Sequence, residues 1–327
     1  MAKVSVIVPC FNEEDSIQLL LDAIKRQSFK LEFIEVIIAD GLSSDQTRQK
    51  IQDYQFRNQE MNIQLIDNPT RTIPAALNRA IASSTGEIII RLDAHCIPFE
   101  DYIANCVNDL NQGLAESVGG IWIIKPGNSS WQANSISTAT TNPLGVGDAL
   151  YRFTQKAQYV DTVPFGAFFR SIINKIGVFD ETLLSNEDYE FNARLRKSGG
   201  RIWLDPRIKS IYFSRVSYLE LLRQYWRYGF WKARMIKKYP ETIRWRQGLP
   251  PIFVLSLIML PILAIWFPIV GYLFVIESLS YLFLLLLAGV HGAIKQGDWT
   301  LVLGVPLAIA VMHLTWGSAF LWSLISR

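Results

Sequence analysis

The sequence predicts an α/β domain with a doubly wound, parallel sheet, followed by an apolar segment that enters a membrane. Two observations lead to this prediction. From Val4 onward, short aliphatic runs alternate with stretches of helical periodicity, a pattern typical of βαβ units. Ionisable residues are concentrated in residues 1–246, whereas the remainder contains apolar runs of roughly 20 residues, the length that crosses a bilayer. A chain of 327 residues fits about two domains.

The elements of the α/β domain follow from hydrophobic periodicity, β-branched runs and capping residues. The predicted strands are Val4–Pro9, Val36–Ala39, Ile63–Ile66, Ile88–Leu92, Val118–Ile124 and Arg201–Leu204. The predicted helices are Asp15–Gln27, a helix capped by Ser44 or Asp45 that ends near Tyr54, Ile73–Ser83, Phe99–Leu110, Ser171–Ile176 and Asn186–Lys197. Residues 125–165 are rich in Gly, Asn, Ser and Thr, and we expect a long functional or mobile loop there.

Composition divides the chain into three predicted segments. Residues 1–215 form the α/β domain. Residues 216–246 mix aromatic and basic side chains, which is typical of a helix in a membrane interface; an ordinary surface helix with inward-packed aromatics is the alternative. Residues 247–327 contain about three predicted transmembrane helices, 251–270, 271–290 and 301–325. Two crossings plus a re-entrant hairpin also fit this pattern.

The distribution of charge and cysteine predicts the location of the α/β domain. Because the basic segment precedes the apolar spans, the positive-inside rule places residues 1–246 in the cytoplasm. The three cysteines lack Cys-x-x-Cys spacing, which fits a reducing compartment. The acidic stretch 12–15 closely follows the short apolar start, so we expect no signal peptide. The predicted location is therefore the inner (cytoplasmic) membrane, multi-pass. The net charge of +3 gives no indication of a nucleic-acid partner.

Four polar clusters carry the candidate chemistry. They are Pro9–Glu13 after the first strand, Asp40–Asp45 after the second, Asp93–His95 after the fourth, and Asn186–Asp188 at a helix start. Parallel strands end at one edge of a sheet, so we expect the first three clusters to converge there. Neither Gly-x-Gly-x-x-Gly nor Gly-x-x-x-x-Gly-Lys is present to hold a phosphate through a glycine-rich loop.

Asp93 and His95 form a candidate metal site. In an extended backbone, residues two apart point to the same side. A carboxylate and an imidazole together can bind Mn²⁺ or Mg²⁺ when phosphate oxygens complete the coordination shell. For Asp93 and His95 the alternative is a polar turn after a core strand. For Glu187 and Asp188, taken alone, the alternative is a pair of ordinary acids at the start of a helix.

In combination and order, these motifs resemble a family 2, inverting glycosyltransferase of the GT-A fold. The segments that carry the resemblance are 4–13, 39–47, 92–95 and 186–188. The Asp-Ala-His sequence and the hydrophobic tail are similar to the succinoglycan branch, which acts in exopolysaccharide assembly. The resemblance covers about residues 3–235 and implies a Rossmann-like mixed sheet with helices on both faces.

The resemblance also implies roles for individual residues. Pro9, Asn12 and Glu13 would line the nucleotide pocket, and Asp40 would contact the uracil or ribose. Asp93 and His95 would bind the metal and the diphosphate.

Further roles concern the acceptor and the membrane-proximal motif. Asp188 would be the catalytic base, beside Glu187, and Gly166 would form the floor of the acceptor site. Arg71 is a candidate phosphate contact, inferred from its loop position rather than from the family. Gln224 and Arg227 are similar to the Gln-x-x-Arg-Trp motif of processive members.

Three departures from the family pattern qualify these roles. Tyr228 replaces the Trp of the processive motif, Gly41 stands where many members have a second Asp, and His95 replaces a carboxylate and favours Mn²⁺. The activity that the resemblance implies is transfer of a sugar from a nucleotide-diphosphate donor, expected to be a UDP-sugar, to a lipid-linked saccharide at the membrane. A processive polysaccharide synthase and a catalytically inactive assembly subunit are the alternatives.

Overall fold

The computed structural model describes residues 3–326, which form nine strands and twelve α-helices. These residues divide into two compact units. The first contains the chain up to Ile123 together with Leu150–Tyr212. The second contains Ile124–Ala149 together with the chain from Phe213 onward.

All six predicted strands are present, and three short ones are added. The strands are β1 (Val4–Cys10), β2 (Ile34–Asp40), β3 (Asn62–Asp67), β4 (Ile88–Arg91), β5 (Ile97–Pro98), β6 (Ser117–Pro126), β7 (Gln158–Tyr159), β8 (Ala167–Phe169) and β9 (Ile202–Ser214). The last strand continues well beyond the predicted end at Leu204.

The helices also lie near their predicted positions. They are α1 (Ile17–Lys25), α2 (Thr47–Arg57), α3 (Ile73–Ser83), α4 (Tyr102–Asn111), α5 (Trp131–Ala139), α6 (Pro143–Val146), α7 (Ser171–Ile176), α8 (Glu187–Lys197), α9 (Tyr218–Lys238), α10 (Leu249–Ala264), α11 (Pro268–Gln296) and α12 (Leu301–Ile325). The prediction of an irregular loop over 125–165 is wrong for α5. Ser130 caps this helix through its hydroxyl, which accepts a hydrogen bond from the backbone N–H of Ala133.

The sheet is parallel on one side and antiparallel on the other. Its order is β3-β2-β1-β4-β8-β6-β9-β5, and β7 also pairs with β9. The strands β1 to β4 pair in parallel, whereas β8 is antiparallel to both β4 and β6. The alternation of strands and helices therefore predicts the first half correctly. The expectation of a parallel sheet is wrong for the second half, and the mixed sheet that the family resemblance implies is confirmed.

Helices cover both faces of this sheet, as predicted. Side chains alternate along β1, so Val6 and Val8 face one core and Ile7 faces the other. The first core includes residues of α1, α2 and α4, and the second includes residues of α3 and α8. All seven residues of β1 and of β2 are buried, as expected for parallel strands between two helical layers.

The second unit is a group of apolar helices. Ile136 and Ala139 of α5 pack in a core with side chains of α9, α11 and α12. Two helices, α11 with 29 residues and α12 with 25, are long and apolar enough to cross a membrane. Helix α10 has 16 residues, or about 24 Å at a rise of 1.5 Å per residue, which is less than the roughly 30 Å of a hydrocarbon core.

The helix boundaries in this unit differ from those expected from the sequence. The sequence divides 251–290 after Val270, whereas the structure breaks between Ala264 and Pro268. Pro268 stands in the first turn of α11, where its missing N–H costs no helical hydrogen bond. The acidic residue of α11, Glu277, accepts a hydrogen bond from the Ser256 hydroxyl at 2.7 Å. The number of membrane crossings stays a prediction.

The carboxylate of Glu35 hydrogen-bonds β2 to β1 and to the residues just before β4. Glu35 on β2 accepts hydrogen bonds from the Ser5 hydroxyl at 2.6 Å and from the backbone N–H groups of Thr85 and Gly86. Lys3 lies 3.1 Å from its other oxygen. Burial alone would raise the pKa of Glu35, but the hydrogen bonds from Ser5, Thr85 and Lys3 outweigh burial and lower that pKa from 4.5 to about 2.

We expect Glu35→Gln to lower the free energy of unfolding at pH 7 by about 1–3 kcal/mol, because buried hydrogen bonds to a charged group are lost. A lowered folded-state pKa means that the stabilisation is present above pH 4.5 and is lost as the pH falls toward 2. Thermal unfolding of the detergent-solubilised chain at several pH values measures the difference. Glu32→Gln is the control, because its side chain is 66% exposed. Equal effects of the two changes would contradict the assignment.

Candidate active site

The carboxyl ends of β1, β2 and β4 meet at one edge of the sheet. Cys10 pairs with Asp40, and Ile7 pairs with Arg91. The backbone N–H of Gly41 donates to the Cys10 carbonyl at 2.8 Å. The first three polar clusters therefore follow neighbouring parallel strands at the same edge, as the sequence predicts.

Two loops at this edge hold each other through side-chain hydrogen bonds. Asn12 has a φ of 53°, and its side-chain oxygen accepts from the backbone N–H of Ser44 at 2.9 Å. The hydroxyl of Ser43 accepts from the Asn12 backbone at 2.8 Å. Asp40 is fully buried and accepts from Ser43 and, at 2.7 Å, from Arg48. In this structure Asp40 orders the loop, and its contact with a nucleotide stays a prediction.

The first of these loops carries an exposed aromatic ring next to the second. Phe11 is 44% exposed, and the guanidinium carbon of Arg71 lies 5.6 Å from the centre of its ring. A Cβ on Gly41 would come within 2.9 Å of the ring. The glycine that replaces a second Asp therefore leaves room for Phe11. Pro9 is buried on β1 opposite Ala39.

The Asp93–His95 cluster forms a turn. The backbone N–H of Cys96 donates to the Asp93 carbonyl at 3.0 Å, so the side-chain alternation expected for an extended strand does not continue past Arg91. His95 Nδ1 lies 2.9 Å from Glu13 Oε1. An ionised carboxylate only accepts, so a neutral His95 carries its proton on Nδ1 and its lone pair on Nε2. Carboxylates often orient metal-binding histidines in this way.

One buried arginine joins the third cluster to the fourth. Arg91, with a side chain 4% exposed, is the last residue of β4. Its Nη2 lies 3.0 Å from Asp93 Oδ1 and 2.9 Å from Glu187 Oε1, and its Nη1 lies 2.5 Å from Asp188 Oδ1. A single guanidinium thus contacts three carboxylates, including those predicted as metal ligand and as catalytic base.

Asp188 has an unusual pKa for an acid at a helix start. Burial raises the pKa; Arg91 lowers it, and the neighbouring charges of Glu187 and Asp93 raise it further, to about 7. From its position at a helix N-terminus alone, Asp188 is expected to be stabilised as an anion. The structure shows that burial and like charges outweigh that effect.

The acceptor-site candidate Gly166 lies beside Arg91. Its carbonyl accepts from the Arg91 backbone N–H at 3.2 Å. The preceding residue, Phe165, is 2% exposed with a φ of 52°. Its ring centre lies 6.0 Å from the Arg91 guanidinium carbon. The structure therefore brings Gly166 into the neighbourhood of Glu187 and Asp188.

The residues present at this edge fit a metal that the substrate also binds. Within residues 3–326, no group of three or more His, Cys, Asp or Glu side chains is arranged to hold a metal alone. Asp93 and His95 have side chains that are 20% and 36% exposed, respectively. A carboxylate oxygen and an imidazole nitrogen are ligand types that Mn²⁺ accepts, and diphosphate oxygens would supply the others.

The remaining predicted residues belong to the second unit. Gln224 donates from its side-chain amide to the Tyr228 hydroxyl at 3.0 Å. The Arg227 guanidinium carbon lies 6.0 Å from the Tyr228 ring centre. The residues of this motif therefore contact one another on α9, with Tyr228 in the place of Trp.

Arg91 and Phe11 are not among the site residues predicted from the sequence. Arg91 ends an aliphatic run, Ile88–Ile90, that is buried, and a buried charge at such a position requires charged or hydrogen-bonding partners. The sequence therefore indicates that Arg91 has polar partners, although it does not identify them. The partners themselves lie 96 and 97 positions later in the chain, where no local spacing reveals them.

Comparison with known proteins supports the same assignment. The model of the family described as "Glycosyl transferase family 2" matches residues 5–177. The succinoglycan biosynthesis protein ExoA of Rhizobium meliloti (strain 1021) is 29% identical over 320 residues, which cover 96% of this chain and 93% of ExoA. A dolichyl N-acetyl-alpha-D-glucosaminyl phosphate 3-beta-D-2,3-diacetamido-2,3-dideoxy-beta-D-glucuronosyltransferase of Methanococcus voltae is 29% identical over 74% of this chain and 76% of its own.

Solved structures share the fold. The mannosyltransferase PcManGT from Pyrobaculum calidifontis, in complex with GDP-Man and Mn²⁺, has a TM-score of 0.59 and 19% identity over 96% of this chain and 87% of its own. Residues 1–349 of TarS from S. aureus, in complex with UDP-GlcNAc, have a TM-score of 0.52 and 22% identity. That match covers 65% of this chain and 59% of the TarS chain.

The sheet order, the convergence of the motifs at one edge and a family match over more than half of the chain agree. The protein therefore belongs to glycosyl transferase family 2 and is a glycosyltransferase.

Proposed function

We propose that this protein is a membrane-anchored, inverting glycosyltransferase that moves a sugar from a UDP-linked donor to a lipid-linked saccharide. The observation that carries the proposal is the contact of Arg91 with both Asp93 and Asp188. It brings a carboxylate suited to a metal–diphosphate group close to a carboxylate suited to an acceptor hydroxyl. Transfer between a nucleotide donor and an acceptor requires these two functions side by side.

The donor would bind at the edge formed by the loops after β1 and β2. The exposed ring of Phe11 offers a surface for the nucleobase, with Arg71 beside it. Asn12, Glu13 and the buried Asp40 shape this pocket through hydrogen bonds within and between the loops and, for Glu13, to His95. Nucleotide sugars are bound by two proteins of the same fold, since TarS binds UDP-GlcNAc and PcManGT binds GDP-Man.

The reaction requires stabilisation of a leaving diphosphate and removal of a proton. Asp93 and His95 would hold Mn²⁺ or Mg²⁺, which supplies Lewis-acid stabilisation of the diphosphate charge. Asp188 accepts the proton of the acceptor hydroxyl while the oxygen of that hydroxyl forms a bond to the anomeric carbon of the sugar. The bond from that carbon to the diphosphate oxygen breaks on the opposite face, so the configuration inverts. The sugar passes through an oxocarbenium-like state.

The second unit would hold the enzyme at the membrane where the acceptor lies. Leu219, Leu222 and Trp226 are exposed along α9, next to the exposed Arg223 and Arg227. An apolar stripe flanked by basic residues suits an anionic headgroup layer. Relatives include an undecaprenol-linked saccharide glucosyltransferase of Campylobacter jejuni and a dolichyl-linked sugar transferase of Methanococcus voltae. We propose a lipid-linked acceptor and a cytoplasmic active site on the inner membrane.

We expect membranes that contain this protein to transfer a labelled sugar to lipid when supplied with Mn²⁺ and one of UDP-glucose, UDP-galactose, UDP-GlcNAc or GDP-mannose. EDTA should remove the transfer and added Mn²⁺ should restore it, because the metal stabilises the leaving diphosphate. Thin-layer analysis of the lipid extract shows whether one sugar or a polymer is added. Transfer that is unchanged in EDTA would contradict the metal role. Polymer made by purified protein would favour a synthase, and no transfer from any donor would favour an inactive subunit.

A further inference from the structure

Arg91 contacts acidic residues from two separate parts of the chain. It ends β4, two residues before Asp93, whereas Glu187 and Asp188 begin α8. The guanidinium reaches Asp93 through Nε at 3.2 Å and Nη2 at 3.0 Å, and reaches Asp188 through Nη1. The planar guanidinium therefore sets how far apart the two carboxylates can lie, and a lysine ammonium cannot reproduce this fork.

The hydrogen bonds use one oxygen of each carboxylate. Both bonds to Asp93 end on Oδ1, and the bond to Asp188 also ends on Oδ1. Among the hydrogen bonds and ion pairs of residues 3–326, those of Asp93 and Asp188 do not involve Oδ2. Each carboxylate is thus oriented through one oxygen, and the second oxygen is left for a cation or for a hydroxyl proton.

The charges around Arg91 give a further reason to expect more than a structural role. Three carboxyl groups surround one guanidinium, so the acidic groups are in excess of the single positive charge. One carboxylate is enough to balance an arginine, and further acids beside it repel one another when ionised unless another cation arrives. A divalent cation at Asp93 would balance this excess.

We infer that Arg91 is a positioning residue that aligns the metal ligand Asp93 with the base Asp188. This inference rests on the proposed function, because it takes the roles of those two acids from it. Arg91 acts through the carboxylates and does not itself touch the substrate. Its loss should weaken metal binding and sugar transfer together, beyond any loss of stability.

Arg91→Lys and Arg91→Gln test this inference in the purified full chain in detergent. Binding of Mn²⁺, alone and with UDP, is measured from the electron paramagnetic resonance signal of free Mn²⁺. We expect an affinity loss of about 10–100-fold, the usual effect of removing a group that orients a metal ligand. Arg170→Lys is the matched control. Arg170 also links separate segments, through Gly86 and Ser84, but contacts none of the site carboxylates in the described hydrogen bonds.

The control should lose thermal stability and keep its Mn²⁺ affinity within twofold. Wild-type affinity in both Arg91 variants would overturn the inference, as would failure of both to fold while Arg170→Lys folds. Asp93→Ala separates the two proposals. If it binds Mn²⁺ normally, the proposed metal site is wrong; if it loses Mn²⁺ while the Arg91 variants keep it, only the role of Arg91 is wrong.

A double variant examines the link to Asp188. With a donor that gives product in the membrane assay and with saturating Mn²⁺, Arg91→Lys/Asp188→Asn should transfer sugar at nearly the rate of Asp188→Asn alone. Residues that act as one unit show such non-additive losses. Independent losses that multiply would contradict the alignment of Asp188 by Arg91.

Discussion

Replacing Asp188 by Asn should lower kcat by about 10²–10⁴-fold, the usual contribution of a positioned general base. The amide has nearly the shape of the carboxylate, and its oxygen can still accept from Arg91 Nη1, which lies 2.5 Å from Asp188 Oδ1. It cannot take a proton from an acceptor hydroxyl. We therefore expect donor binding to change little, so that the loss appears in kcat rather than in KM for the donor.

Single-turnover transfer at saturating Mn²⁺ measures this effect directly. Asp53→Asn is the control, because it makes the same chemical change on the exposed surface of α2. Equal Mn²⁺ and UDP binding by wild type and Asp188→Asn would show that the site is intact. Full-rate transfer by Asp188→Asn would refute the assignment of the base and leave the metal site untouched.

The parallel half of the sheet was predictable because its signals are local. Each of β1, β2 and β4 is an aliphatic run, followed by polar residues at the edge. The antiparallel half was less predictable. β8 has three residues, too few to show an alternating pattern. Helix α5 was missed because its sequence is rich in polar residues, and the core that stabilises it comes from distant apolar helices.

The candidate site likewise has features that local sequence signals indicate and features that depend on the fold. The order of the motifs in the chain makes Asp93, His95 and Asp188 candidates, and the structure brings their neighbourhoods together through Arg91 and Glu13. Sequence spacing gave a wrong reason for Asp93 and His95, which lie in a turn rather than on an extended strand. The pKa of Asp188 was not predictable, because it depends on burial and on charges that the fold brings close.

The contact between His95 and Glu13 bears on the choice of metal. Because His95 Nδ1 lies 2.9 Å from Glu13 Oε1, an Asp at position 95 would bring a second carboxylate close to Glu13. The two would repel unless a cation bound between or beside them. Harder oxygen ligands also suit Mg²⁺ better than an imidazole does. We therefore expect the rate of sugar transfer by His95→Asp to depend more steeply on metal concentration than that of wild type. The ratio of Mn²⁺-supported to Mg²⁺-supported transfer should also be lower than in wild type.

Asp93→Ala should have the larger effect, because it removes the charged ligand. Lewis-acid stabilisation contributes several kcal/mol, and 1.36 kcal/mol corresponds to tenfold in rate, so a loss of roughly 10³-fold in kcat/KM is expected. Asp93→Asn separates the effect of the charge from that of the hydrogen bond. Its amide oxygen can still accept from Arg91, which lies 3.0 Å from Asp93 Oδ1, so it keeps the hydrogen bond and loses the charge. Titrations with Mn²⁺ and Mg²⁺ measure both variants. If Asn retained wild-type transfer while Ala lost it, the hydrogen bond to Arg91 would matter and the metal-ligand role of Asp93 would be wrong.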